Sequence, residues 1–262
     1  PDVDADFPSD QSNHIIVSIP TPKDTIWLEC TSQTNPFGYL GIFTGDRKAL
    51  MITETGGKLV NTVRYTQEQN TQIRNAEVTV QMSGDAMAKV NTTYTGLQYE
   101  TEDLNFYLNK ESDDQRKWIQ ENTNIPSFDV TAFTMVNKKD RIPSAIVTTE
   151  LNLKRFATIS GKRVFITPNL MNRSTLLPEK LESRKNNVVT RSAYIDIDTI
   201  QYHLPEGIYP EYLPAPVKIT SRFGEYEINY IFNEGNLIYF RKLKMNKGEY
   251  PSESYNELLD FY

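Results

Sequence analysis

The sequence predicts a mainly β protein of the α+β type. It reads as the remnant of a core sheet followed by an antiparallel β-sandwich with short helices. Short runs of alternating apolar and polar residues recur along most of the chain. Gly and Pro turns separate these runs, without strand–helix–strand alternation. Helical apolar spacing is confined to the stretch 101–123 and to the last residues, 251–262.

The 262 residues can build one large domain or two small ones. Tyr65-Thr66-Gln67-Glu68-Gln69-Asn70-Thr71-Gln72 is polar without an apolar period and reads as a linker. It divides the chain into 1–72, which the family resemblance described below implies is the end of a core, and 73–262, the sandwich. Acidic residues number 34 against 28 basic ones, so nucleic acid is not an expected partner. No apolar run approaches the roughly 20 residues of a membrane span. The single Cys forbids an internal disulfide, and one Cys with two His does not furnish a structural zinc site. Asp2-Val3-Asp4-Ala5-Asp6 lacks the Gly and distal Glu of a calcium loop and reads as solvated lead-in. No metal and no cofactor are expected.

The elements follow in order. Asn13-His14-Ile15-Ile16-Val17-Ser18-Ile19-Pro20 and Thr25-Ile26-Trp27-Leu28-Glu29-Cys30-Thr31 are two β-rich arms around the turn Thr21-Pro22-Lys23-Asp24. Residues 33–47 are a loop whose Phe37, Tyr39 and Phe43 either anchor it or line a groove near His14. Asp46-Arg47 forms a local ion pair or holds a loop carbonyl. Strands at 49–53 and 58–63 flank Gly56-Gly57, and strands at 76–80 and 86–90 flank a turn at Gly84. Residues 101–123 form two short helices: Leu104, Tyr107 and Leu108 mark the first, Trp118 and Ile119 the second. Strands at 127–136, 144–153, 156–159 and 163–167 come next, then an exposed charged loop at 168–190 containing Glu179 and Glu182. Strands resume at 191–203, 217–222, 225–232 and 237–244. Ser254 and Glu257 fit a capping box for a final helix with Tyr255, Leu258, Leu259 and Tyr262 on one face.

The first hairpin is where nucleophile chemistry can be read, because it carries His14, Glu29 and Cys30. If Pro20 pairs with Thr25, His14 falls opposite Thr31, Glu29 shares its face, and Cys30 points the other way. A loop with an odd number of residues turns His14 toward Cys30 instead. The residues alone leave both registers open. They also allow ordinary strand roles for His14 and Glu29 and a small core hydrophobe at Cys30.

Asn13-His14-Ile15-Ile16 followed by Asp24-Thr25-Ile26-Trp27-Leu28-Glu29-Cys30-Thr31-Ser32 resembles the last part of a transglutaminase-like cysteine-hydrolase core. There a His begins one strand and an acid follows a Trp by two residues, in the pattern Trp-x-Asp-Pro-Thr. Here Glu29 stands at the Asp, Cys30 at the Pro, and Thr31 matches. Asn35-Pro36-Phe37-Gly38-Tyr39-Leu40-Gly41, Phe43-Thr44-Gly45-Asp46-Arg47 and Thr55-Gly56-Gly57-Lys58-Leu59-Val60 resemble a narrower group of large exported bacterial proteins. Leu204-Pro205-Glu206-Gly207 and Ser221-Arg222-Phe223-Gly224-Glu225-Tyr226 look like that group's C-terminal β-domain. The resemblance implies a periplasmic or extracellular amide- or peptide-bond hydrolase acting on a peptide or protein. His14 would be the general base and Glu29 its orienting acid. The family's nucleophilic Cys precedes the His, so it would lie on an upstream segment, and the chain reads as the C-terminal part of a longer protein that is inactive alone. Cys30, at the Pro position, does not inherit the nucleophile role; it is expected buried on the face opposite Glu29. The alternative is a non-catalytic β-module for binding or assembly.

Overall fold

The computed structural model describes residues 3–4, 6–7, 9–22, 24–172, 179–181 and 183–262. Asp2 of the lead-in, Lys23 of the first turn and Glu182 of the charged loop lie outside the described residues. Strands β1 (Val17–Pro20) and β2 (Thr25–Leu28) form a ribbon, followed by one helical turn, α1 (Gly41–Thr44). A hairpin of β3 (Lys48–Thr53) and β4 (Gly56–Asn61) leads to β5 (Thr71–Val80) and β6 (Ala86–Thr95). A 3-10 run at Gly96–Asp103 opens the helical insert of α2 (Leu104–Tyr107) and α3 (Ser112–Glu121). Then come β7 (Phe128–Lys138), β8 (Ser144–Leu153), β9 (Thr158–Ser160), β10 (Arg163–Phe165), β11 (Val188–Thr190) and β12 (Tyr194–His203). The chain ends with β13 (Val217–Ser221), β14 (Gly224–Asn233), β15 (Asn236–Met245), β16 (Gly248–Tyr250) and α4 (Tyr255–Phe261).

Strand is 43% of the structure and helix 16%, so the protein is mainly β, as its alternating pattern predicts. The long strands join in one mixed eight-stranded sheet, ordered β13-β14-β15-β12-β5-β6-β8-β7. The expected all-antiparallel unit is corrected at one seam, because β5 and β12 run parallel. These strands belong to separate meanders joined by a long connection, which permits parallel pairing where a tight hairpin would not. The long strands also lie in one continuous sheet rather than in two separate ones. One face is covered. Gln72, Arg74, Ala76, Val78 and Val80 are buried along β5, while the alternate residues are exposed. Trp118 and Ile119 of α3 join Val90, Val147 and Leu151 in that core, and the Trp118 indole N–H donates to Glu102 O at 2.7 Å.

The stretch read as a linker is a packed seam. Tyr65 is buried, Gln67 Nε2 donates to Met245 O at 2.6 Å, and the buried Asn70 bridges Ala193 O and Leu97 N–H. Its polar side chains satisfy backbone groups of the sheet ends, which is why it lacks an apolar period. The capping box at α4 does not form. A 3-10 turn at Ser252–Ser254 precedes the helix, and the Ser254 hydroxyl donates back to Pro251 O. Glu257 instead accepts from Arg222 N–H and pairs with the Arg222 guanidinium at 2.8 Å.

A polar row crosses the core. Asp198 of β12 stands opposite Arg74 of β5 and Arg241 of β15, at 3.1 and 2.6 Å. Asn172 Nδ2 donates to both Asp198 oxygens. Two residues earlier on the same face, Asp196 accepts from Gln98 Nε2 at 2.9 Å. Burial pushes the Asp196 carboxyl up to about 6, opposed by Arg241 and Arg74 and reinforced by Asp198. An acid raised in the folded state binds its proton more tightly than the unfolded chain does. Stability therefore falls as pH rises through roughly 4 to 6, by about 3 kcal/mol from this group. Asp196→Asn is expected to gain about that much over the parent protein between pH 4 and pH 7 in denaturant titrations. A stability difference that stays flat with pH contradicts the assignment.

Candidate active site

The site grows from the first ribbon. Its register is Pro20 with Thr25, Ile19 with Ile26, Ser18 with Trp27 and Val17 with Leu28. Asp24 closes the turn on Thr21 through backbone and hydroxyl bonds. Carried past the last pair, this register sets His14 across from Thr31 and puts Glu29 on the same face. A two-stranded ribbon is marginal alone. Here Trp27 is buried, and the Arg141 guanidinium at the β7–β8 turn pairs with Asp24.

His14 and Glu29 meet. His14 Nε2 lies 3.0 Å from both oxygens of the Glu29 carboxylate. Oε1 also accepts from the Thr31 backbone N–H at 3.0 Å and the Thr31 hydroxyl at 2.7 Å. The Thr44 hydroxyl stands 3.1 Å from Oε2 and 3.1 Å from Leu40 O, its one proton shared between them. Burial works to raise the Glu29 pKa, but the bonds from Thr31, His14 and Thr44 outweigh it and hold the carboxyl below its ordinary range. Glu29 is therefore an ionised acceptor at neutral pH, so Nε2 must carry the shared proton. That leaves Nδ1 as the basic nitrogen, and nothing hydrogen-bonds it among the described residues. The Glu29 side chain is 4% exposed and His14 19%, so the acid is shielded while the ring remains reachable. The Phe43 ring meets His14 edge-on, with centroids 5.0 Å apart.

Cys30 is the correction. It is exposed, with Sγ 3.7 Å from Leu28 O, rather than buried opposite Glu29. Among the described residues no second layer covers the back of the ribbon there; Ile15, which the register sets opposite Cys30, is 85% exposed. The loop aromatics divide their roles. Tyr39 is fully buried against Tyr65 and Tyr99 and anchors the loop, whereas Phe37 and Phe43 are exposed. Arg47 holds the Phe43 and Ile42 carbonyls, while Asp46 pairs with Arg64 and Lys247.

The sequence reading did not find Thr44 as a partner of Glu29. It lies one turn beyond a Gly-rich loop, and a lone Thr carries no signal. A hydrogen-bonding threonine three residues after Gly41 becomes legible only once the loop closes. His203, the second histidine, bonds Asn236 Oδ1 through Nδ1 at 2.7 Å, at the end of the β12–β15 ladder. No group of His, Cys, Asp and Glu among the described residues could hold a metal ion. No helix among them is long and apolar enough to cross a membrane.

A mainly β protein bearing an oriented imidazole–carboxylate pair is the class that this fold and site define. Residues 162–262 match a domain family of unknown function that has a solved structure, DUF3858. That stretch runs from β10 to α4 and contains neither His14 nor Glu29. No curated protein and no solved structure matches the chain.

Proposed function

We propose that this chain supplies the base half of a transglutaminase-like cysteine hydrolase acting on amide or peptide bonds outside the cytoplasm. His14 is the general base and Glu29 the acid that orients it. The thiol comes from a segment upstream of the chain; it gives its proton to His14 Nδ1 and attacks the carbonyl carbon, the imidazolium passes that proton to the departing amine as the C–N bond breaks, and water then hydrolyses the thioester. The observation that carries this reading is the His14–Glu29 pair itself, with Nε2 engaged and Nδ1 without a hydrogen bond among the described residues. An ionised, shielded carboxylate favours the imidazolium that forms when the thiol loses its proton. Cys30 is not assigned the attack, because its sulfur contacts Leu28 O and its parity is opposite to Glu29.

The test compares the 262-residue chain with a longer protein carrying it. The longer protein is expected to cleave amide substrates, to lose activity on alkylation of a cysteine outside residues 1–262, and to keep it in Cys30→Ala. The chain alone is expected to be inactive. Turnover by the chain alone that disappears in Cys30→Ala overturns the assignment. An inactive longer protein without a cysteine at His14 favours a non-catalytic β-module for binding or assembly.

A further inference from the structure

We propose that Glu100, which lies in the 3-10 run after β6, is a positioning residue for the His14–Glu29 pair. It acts by holding the α1 turn that presents Thr44 to Glu29 and Phe43 to His14. Its designation as a positioning residue of a catalytic site rests on the function proposed above.

The first turn of a helix leaves backbone N–H groups without partners inside the helix. At α1 the preceding residue, Leu40, offers no side-chain acceptor. Glu100 reaches in instead, and its Oε2 accepts from the Ile42 N–H at 3.0 Å, across 58 residues of sequence. The approach requires a bare Cα at Gly41. Gly41 has φ of +68°, and a Cβ there would stand 1.9 Å from Glu100 Oε1. Any side chain at 41 therefore displaces the carboxyl as well as straining the backbone.

The other oxygen, Oε1, is buried without a hydrogen-bond partner among the described residues. A buried, half-satisfied carboxyl is destabilising by itself. Burial raises its pKa against the pull of the Ile42 N–H and of the Tyr39 hydroxyl. Around it stand Tyr39, whose hydroxyl donates to Gly96 O at 2.9 Å, and Tyr65, whose hydroxyl accepts from Leu40 N–H at 3.0 Å. Burial raises the pKa of Tyr39 and Tyr65, and the nearby Glu100 charge adds to the rise in both.

What the carboxyl does there follows from its neighbours along α1. Ile42 is followed by Phe43, whose ring packs on His14, and by Thr44, whose hydroxyl reaches Glu29. The Glu100 bond thus joins those from Tyr65 to Leu40 and from Arg47 to the Ile42 and Phe43 carbonyls in holding the turn on which two contacts of the pair depend, and it is the one made to an N–H inside α1.

The readout is solvent exchange of the His14 Nε2 proton by NMR on the 262-residue chain, with His203→Gln used to assign the two histidines. Glu100→Ala is expected to speed this exchange several-fold, up to about tenfold, the scale of one lost hydrogen bond. The large sheet should remain folded, with the strand signal of the parent protein in circular dichroism. Glu100→Gln keeps an acceptor for the Ile42 N–H and is expected to restore slow exchange. Wild-type exchange in Glu100→Ala, or acceleration that Glu100→Gln does not reverse, overturns the proposal. Because the readout is a ring proton and not turnover, an inactive longer protein would sink the catalytic reading while leaving this coupling intact.

Discussion

Asp198→Ala is expected to destabilise the protein by about 3–5 kcal/mol, because it leaves two buried guanidiniums without their shared counter-ion. The side chains of Arg74, Asp198 and Arg241 are only 5%, 2% and 8% exposed. The sheet register sets the three opposite one another on adjacent strands, so neither arginine can swing to solvent without leaving the inner face. Asn172 would also lose both of its acceptors on Asp198. Asp196 moderates the loss. Its pKa, raised in part by the charge on Asp198, falls when that charge is removed, so it takes up more of the countercharge. Replacing all three residues with apolar side chains of similar volume is expected to be far milder than the single change, since it removes the charges together. Equilibrium denaturation measures both. A loss under about 1 kcal/mol in Asp198→Ala would mean that the arginines find water and the row is not buried in solution.

Under the proposed function, His14→Gln is expected to lower kcat/KM of a longer protein that supplies the thiol by about 10²–10⁴, the usual contribution of a positioned general base. Glutamine fills similar space but takes no proton from a thiol. Glu29→Gln acts in the same direction by a different route. The neutral amide no longer favours the imidazolium. Its NH₂ group would also face donors, since Oε1 accepts from both the Thr31 N–H and the Thr31 hydroxyl. Glu29→Gln should therefore lower the rate by less than His14→Gln, which removes the base itself. The Glu29 pKa is depressed in the folded state, so the pair's contribution is present at neutral pH. It is lost only as pH falls through that depressed value. kcat/KM of both variants at neutral pH separates the two roles.

The hairpin was legible from its two β-rich arms and the turn between them, but its register was not. Loop parity decides which residues share a face, and only the pairing of Pro20 with Thr25 selects between the two registers that the residues left open. The paired strands of the large sheet were legible from alternation, and α3 from Trp118 and Ile119. The central polar row was not. Arg74, Asp198 and Arg241 alternate with apolar or polar neighbours much as solvent-facing charges do, and only the pairing of β5, β12 and β15 turns them inward. The parallel seam escaped because strand signals carry no direction. Cys30 was expected to be buried because free cysteines generally are, yet among the described residues the ribbon has nothing behind it to bury it. Thr44 and Glu100 act across distances in sequence that no local pattern reports.

The measurement closest to the central claim is the tautomer of His14, read from the two ring nitrogen shifts by long-range ¹H–¹⁵N NMR at neutral pH. An ionised Glu29 bonded to Nε2 requires that Nε2 carry the proton and that Nδ1 be the basic nitrogen. The expected spectrum shows a protonated Nε2 and an unprotonated Nδ1, with that preference lost in Glu29→Leu. A ring protonated at Nδ1, or one whose tautomer ratio is the same with and without Glu29, would contradict the oriented base on which the proposed function stands.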